Sequence, residues 1–321
     1  MKIYKGKVVT IFGGAGFIGS NLCDRLMEAN PERLVVFDNL CQSSMDNIKH
    51  HFNKKNFKFI YGDIRDYSSV EKLVGCSDYV FNLAASNVGM STERPRVDLQ
   101  TNVEGTFNIL MAAEKNAAVR IVHASSGSVL GDSKDGTPMD EEHRTNPSNM
   151  YGISKLAGEN YCKFFAKHLG VDVSIVRYFH VFGPRQDYNG KSGVINIFLN
   201  RIKDGINPVV WGSGEQIQCF TFVEDVIDAT LLIAGDDSTI GEVYNIASKT
   251  RKKVKNLAQY LINSFGSKKN KVEYGPAKVG ENMRPVPDTK KITELGWEPK
   301  YTFAEGVHIT NNWLDDVRKE K

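Results

Sequence analysis

The stretch Lys7-Val8-Val9-Thr10-Ile11-Phe12-Gly13-Gly14-Ala15-Gly16-Phe17-Ile18-Gly19 decides the fold of this chain. An apolar run of strand character, 7–12, leads into glycines spaced Gly13-x-x-Gly16-x-x-Gly19. Phe17, Ile18, Leu22 and Leu26 then recur at helical spacing. A strand, a glycine turn and a helix in that order form a phosphate-binding unit. The first glycine permits a tight turn, the second lets backbone approach a pyrophosphate, and the third lets the helix pack on the strand. The helix start adds free N–H groups and the positive end of its dipole. A second strand, Arg33-Leu34-Val35-Val36-Phe37, ends at Asp38, nineteen residues past Gly19. A carboxylate there accepts from adenosine ribose hydroxyls and repels a 2′-phosphate. The combination points to a dinucleotide site with NAD favoured over NADP.

Working outward, strand patterns at 7–12, 33–37, 57–60, 78–83, 119–124 and 172–177 alternate with helical patterns near 17–29, 67–74, 99–116 and 150–169. Such alternation predicts right-handed βαβ units and a Rossmann-type, doubly wound parallel sheet of the α/β class, with ligands beyond the carboxyl ends of its strands. After residue 178 the rhythm breaks at Gly183-Pro184, Asn189-Gly190, Asn207-Pro208 and Gly212-Ser213-Gly214. A helix is expected at 193–203, a strand–helix unit at 219–235, a strand at 242–246 and helices near 254–266 and 303–319. This reads as an NAD-binding domain, 1–178, to which 215–247 returns. Segments 179–214 and 248–321 form a smaller substrate-binding capping domain.

Composition narrows the partners. The 41 Lys and Arg against 38 Asp and Glu leave +3, too little to argue for nucleic acid or a membrane surface. No apolar run has the length of a membrane helix, and a first strand near residue 7 leaves no room for a signal peptide. The five cysteines, Cys23, Cys41, Cys76, Cys162 and Cys219, are odd in number, far apart and without a CxxC pair. They argue against disulfides and a zinc site, so no metal is expected and a reducing cytoplasm fits best.

The chemistry is carried by Tyr151-Gly152-Ile153-Ser154-Lys155 at the start of a helical pattern. Residues four apart share a helix face, so phenol and ammonium meet one ligand, and the lysine charge makes a phenolate available as base. The same YxxxK spacing recurs at Tyr274–Lys278, where Gly275-Pro276 forbids a regular helix. His123-Ala124-Ser125-Ser126-Gly127-Ser128 ends the fifth strand and offers a hydroxyl to the same substrate oxygen.

These motifs do not stand alone. Gly62-Asp63-Ile64-Arg65-Asp66, Asn82-Leu83-Ala84-Ala85, Asn102, Arg177 to Pro184, Gly212 to Gln216, Phe220 to Val226 and Leu295 to Pro299 accompany them. Together they resemble the extended short-chain dehydrogenase/reductases over nearly the whole chain. Within that family the chain is similar to the NAD-dependent nucleotide-sugar epimerases and dehydratases, UDP-glucose 4-epimerase-like members among them. The resemblance implies Ser126, Tyr151 and Lys155 as the catalytic set. It implies a cofactor site from Gly13, Gly16, Phe17, Ile18, Gly19, Asp38, Asn39, Asp63, Ile64, Ala84, Ala85, Asn102, Tyr151, Lys155 and Tyr178. Val88, Ser126, His180, Val194, Gln218 and Arg284 would meet a nucleotide-sugar substrate. A homodimer through the helices near 99–116 and 150–169 is implied too.

Departures from the family pattern matter for the reaction. Family dehydratases carry an Asp-Glu pair just after the catalytic hydroxyl, where this chain has Gly127-Ser128, and neither can do carboxylate acid–base work. Leu130 replaces a usual tyrosine, His180 a usual substrate-phosphate asparagine, and Gln218-Cys219 a usual arginine–acid pair. That arginine grips the diphosphate, so its loss removes a bidentate contact, while Arg284 matches the family's other diphosphate arginine. The reading is an NAD-dependent nucleotide-sugar epimerase acting through transient oxidation at C4. The alternatives are a net 4-dehydrogenase or ketoreductase, then a dehydratase, and last a non-catalytic NAD-binding protein.

Overall fold

The computed structural model describes residues 1–116, 119–133, 136–186, 192–277, 283 and 286–320. Its centre is a seven-stranded parallel sheet built from β1 (Val8–Phe12), β2 (Arg33–Asp38), β3 (Phe57–Tyr61), β4 (Tyr79–Asn82), β5 (Arg120–Ser126), β6 (Val173–Tyr178) and a last strand, Val243–Ile246. From one edge the order runs last strand, β6, β5, β4, β1, β2, β3. Thr10 of β1 pairs with Val35 on one side and Val80 on the other. The chain order therefore reverses between β1 and β4, which opens a crevice beyond their carboxyl ends.

The helices that connect these strands are α1 (Phe17–Glu28), α2 (Tyr67–Val74), α3 (Val88–Glu93), α4 (Pro95–Asp98), α5 (Gly105–Glu114) and α6 (Met150–Leu169). Separate apolar clusters flank the sheet. One contains Val9, Ile11, Leu22 and Leu26 of β1 and α1, the other Val80, Ile109, Ile121 and Phe165. Two-sided burial explains why the strands are nearly unbroken apolar runs. The start of α6 is fixed by Asn149, whose side chain accepts from Gly152 N at 2.9 Å. Its end is fixed by Gly170 at φ 66°, with Lys167 and His168 in the last turn against the dipole.

The expected strands and long helices are present with small shifts at their ends. The helix expected over 99–116 differs: Leu99–Glu104 is a π-helical stretch that passes into α5. The short helices α3 and α4 carry no strong period and were not anticipated. Beyond β6, three small two-stranded pairs replace the large sheet's rhythm. They join Val181–Phe182 to Thr221–Phe222, Val209–Trp211 to Glu273–Gly275, and Ile217–Cys219 to Arg251–Lys253. Helix Val223–Ala234 packs back on α1 and on the large sheet, and the strand Val243–Ile246 pairs with β6 at the sheet's edge.

Candidate active site at the strand ends

The glycine turn leaves no room for side chains at its first and last glycines. Gly13 sits at φ 78°, and a Cβ there would lie 2.6 Å from the Ala84 backbone nitrogen. A Cβ on Gly19 would overlap the Gly13 carbonyl oxygen. The first turn of α1, Phe17 and Ile18 included, has Gly16 as its cap and no side-chain acceptor, so its leading N–H groups remain for an anion. Asp38 is nearly buried. One carboxylate oxygen accepts from Ala15 N at 3.0 Å, the other from Leu40 N at 2.9 Å and Ser43 Oγ at 2.7 Å. The acid expected to greet a ribose is thus also the strut of the glycine turn. Asn39 Nδ2 donates to Asp63 at 2.8 Å, and Arg65 grips both Asp63 oxygens, at 2.8 and 2.7 Å. That grip holds the Asp63 carboxyl down at about 2. Ile64 is buried against Gly105, and the Ala85 carbonyl accepts from Gln42 Nε2 at 3.3 Å.

Tyr151 lies on the first turn of α6 and Lys155 one turn further. The Ser126 hydroxyl, at the end of β5, lies near enough to the Tyr151 phenol to act on it, and it donates to Ser128 Oγ at 3.2 Å. Ser126 Oγ also accepts from Ser128 N at 3.2 Å. Burial pushes the phenol up to about 12 while the neighbouring Ser126 hydroxyl pulls it down. Burial likewise pushes the Lys155 ammonium down to about 8. Lys155 is 1% exposed, and its Nζ has no hydrogen-bond partner among the described residues. A buried ammonium without acceptors is costly, and ribose hydroxyls of a nicotinamide nucleotide would satisfy it. The glycine cradle and this orphaned nitrogen both fit a dinucleotide.

Several residues around this group were not singled out from the sequence. Glu159, one turn beyond Lys155, accepts from Ser125 Oγ at 2.6 Å and pairs with Arg177 of β6. Arg177 also donates to the Glu141 carbonyl at 3.2 Å, and Glu141 accepts from Asn245 N at 2.7 Å. The signal was present: Glu159 continues the Tyr151, Lys155 stripe, and Arg177 interrupts an apolar strand. Asn102 is fully buried. Its amide donates to Asp98 at 2.7 Å and Ser154 at 3.0 Å and accepts from Ser86 N at 2.8 Å. With these bonds made, Asn102 supports the cleft from behind. Tyr178 is likewise turned into the core, its hydroxyl 2.8 Å from Thr230 Oγ1, which leaves its backbone alone for a cofactor. Buried His123 sits beside α6, with Asn82 Nδ2 3.1 Å from its Nδ1. Burial drives its imidazole well below the usual range.

Of the residues expected to meet a substrate, His180 is exposed yet crowded by protein, which pushes its imidazole down to about 4. Its φ of 34° is a strained backbone conformation, and its ring meets Phe220 edge-on at 5.8 Å. Gln218 is buried on the short strand opposite Lys252, and Cys219 pairs with Arg251. Val88 and Val194 each begin a helix, the first exposed and the second half-buried. Gly127 has a specific reason to lack a side chain: a Cβ there would overlap the Phe179 ring. Arg284 lies outside the described residues.

A dinucleotide cradle and a serine–tyrosine–lysine group at the strand ends of one parallel sheet define a nucleotide-dependent oxidoreductase-type enzyme. The NAD dependent epimerase/dehydratase family matches residues 9–247, and the chain belongs to it. A UDP-glucose 4-epimerase of Mycolicibacterium smegmatis is 31% identical over 303 residues, covering 94% of this chain and 96% of that protein. A human dTDP-D-glucose 4,6-dehydratase is 33% identical over 319 residues, covering 96% and 89%. The UDP-glucose 4-epimerase of Thermotoga maritima, solved with UDP-glucose, superposes with a TM-score of 0.89 at 31% identity, covering 97% of this chain and 99% of that one. The chain is thus an NAD-dependent enzyme of a nucleotide-sugar epimerase and dehydratase family. Among the described residues no helix is long and apolar enough to cross a membrane.

Proposed function

We propose that this enzyme epimerises a nucleotide-linked sugar at C4, through transient oxidation of the C4 hydroxyl. The carrying observation is at residue 127. Dehydration needs an acid and a base at C5 and C6, and here Gly127 is closed off by Phe179 and followed by Ser128. Oxidation at C4 needs only the group that is present. Tyr151 takes the hydroxyl proton, Ser126 holds the same oxygen, and Lys155 favours the phenolate by its charge and grips the nicotinamide ribose. NAD, when bound, supplies the acceptor for the C4 hydrogen and its return. Asp38 and Asn39 hold the adenosine ribose, Asp63 and Ile64 flank the adenine, and Phe17 and Ile18 offer N–H groups to the pyrophosphate. Ala84 and Ala85 line the cofactor cleft, and Val88, His180, Val194, Gln218 and Arg284 line the sugar-nucleotide side. In this reading residues 1–178 and 215–247 bind the cofactor and the remainder caps the substrate.

The same reading makes the enzyme a homodimer. Leu99, Met150, Ile153 and Phe164 are each more than half exposed on the π-helical stretch and on α6, a face that a second copy would cover. All five cysteines are free, in keeping with a reducing cytoplasm.

The test is a panel of UDP- and dTDP-hexoses incubated with protein and NAD in heavy water. The expected product is the C4 epimer without deuterium at C4. Loss of water from any hexose overturns the reading, and NADH accumulating with a keto sugar would make the enzyme a net oxidoreductase.

A further inference from the structure

A carboxylate that no motif pointed to stands behind the catalytic pair. Asp98 closes α4 and is 2% exposed. Its Oδ1 accepts from Ser91 Oγ at 2.5 Å and from Asn102 Nδ2 at 2.7 Å. Asn102 Nδ2 reaches Ser154 Oγ at 3.0 Å, and Ser154 Oγ donates to the Tyr151 carbonyl at 3.0 Å. A continuous chain thus runs from Asp98 through the π-helical stretch to the first turn of α6. It also orients the Asn102 amide: with Nδ2 held by Asp98 and Ser154, Oδ1 faces Ser86 N, next to Ala84 and Ala85 at the cofactor cleft.

The charge of Asp98 is unusual among the groups that act on Lys155. On its own helix those groups are Cys162 and Glu159, with Tyr151 one turn before. Asp98 faces it from α4, and His123 from β5. Burial keeps the Cys162 thiol and the Tyr151 phenol protonated and the His123 ring neutral, so none of them brings a charge at ordinary pH. Glu159 is charged, yet Arg177 pairs with it through two bonds. Asp98 meets only a hydroxyl and an amide, and no ion pair to it is found among the described residues. A buried charge that is hydrogen-bonded but not paired acts on whatever cation lies near it.

We propose that Asp98 is a positioning residue for catalysis: it anchors the Asn102–Ser154 strut that holds the turn bearing Tyr151, and it is the counter-charge that keeps the buried Lys155 an ammonium. The proposal rests on the reading of Tyr151 and Lys155 given above. The same charge opposes ionisation of Tyr151, so Asp98 favours the cation at the expense of the phenolate. Its removal therefore moves both groups the same way, toward ionisation and deprotonation at lower pH. A residue that merely filled space would lower activity without moving either limb of the pH profile.

The experiment compares wild type with Asp98→Asn, which keeps the shape and an acceptor but loses the charge. Asp98→Ser is a second charge-free variant, and Asp98→Glu keeps the charge. Each is checked for folding by circular dichroism. NAD binding is followed by fluorescence quenching across pH, and turnover is followed on a UDP-hexose over the same range. Wild-type NAD affinity is expected to fall as pH rises past about 8, where Lys155 loses its proton. In Asp98→Asn and Asp98→Ser that fall should begin about one pH unit lower, the scale expected for loss of one nearby charge. Both limbs of turnover should move the same way, and Asp98→Glu should restore the wild-type limbs even at reduced turnover. Binding curves of the folded charge-free variants that superpose on wild type overturn the proposal. If no hexose is turned over by wild type, the epimerase reading fails while the NAD-binding curves still decide the role of Asp98.

Discussion

Arg177 and Glu159 form a two-bond ion pair, Nε to Oε1 at 2.9 Å and Nη2 to Oε2 at 2.8 Å, with neither side chain more than 1% exposed. It joins β6 to α6 one turn beyond Lys155, and Ser125 of β5 adds a third bond. The helix that carries the phenol and the ammonium is therefore tied to two strands whose ends form the cleft. Breaking such a pair leaves a buried charge without a partner, which costs more than the intact pair contributes.

Arg177→Met should accordingly destabilise the fold by about 3–5 kcal/mol, read from denaturant midpoints. Glu159→Leu added to it should recover most of that loss, because the stranded carboxylate is gone. A double variant no more stable than the single one would show that the pair matters for packing and not for charge.

For cofactor choice, the Asp38 carboxylate joins a proposed ribose contact to an observed role in bracing the glycine turn. Titration of NAD and NADP against wild type should give clear preference for NAD. Asp38→Ala removes ribose contacts and also the acceptor for Ala15 N, Leu40 N and Ser43 Oγ. NAD affinity should drop by about ten- to a hundredfold, the range for losing a charged hydrogen bond, with little compensating gain for NADP. A variant that binds NADP as tightly as wild type binds NAD would contradict the strut role.

Tyr151→Phe should cut turnover by roughly 10²–10⁴-fold while NAD remains bound, since Phe keeps the ring and removes only the hydroxyl. Lys155→Ala should weaken both turnover and NAD binding, because it removes the buried ammonium as well. Normal turnover by Tyr151→Phe excludes the phenol as base.

Acid should destabilise the protein through His123. Its folded form resists protonation, so below the unfolded value near 6.5 the unfolded chain binds a proton that the native state does not. Stability is full above that value and falls as pH drops through it. His123→Gln should flatten the denaturation midpoint between pH 6.5 and more acidic conditions. His180 adds a second component in the same direction, from 6.5 down to about 4. Equal pH slopes for wild type and His123→Gln would assign the acid sensitivity elsewhere.

Much of this was legible in the sequence because it rests on local rules. Gly13, Gly16 and Gly19 announce a strand–turn–helix, and the two-sided burial of the sheet writes itself as apolar runs such as Val8–Phe12. Tyr151 and Lys155 follow from helical spacing. What escaped was non-local. Nothing near Asp38 in sequence says that it props Ala15, and nothing at Asp98 says that its partners are Ser91 and Asn102. The π-helical stretch was missed since its residues carry the same apolar period as an ordinary helix. His180 was recognised as out of place, yet its positive φ is a property of the packed cleft alone.

The contact between Gly127 and Phe179 bears on how such a catalyst changes over generations. An acid at 127 has room only after the Phe179 ring has shrunk. Shrinking it first hollows the small cluster of Val129, Leu130, Met139, Phe179, Cys219 and Ala247. Either change alone is penalised by packing, so the two positions are physically coupled. In this fold, what residue 127 can carry is therefore set by the packing around residue 179.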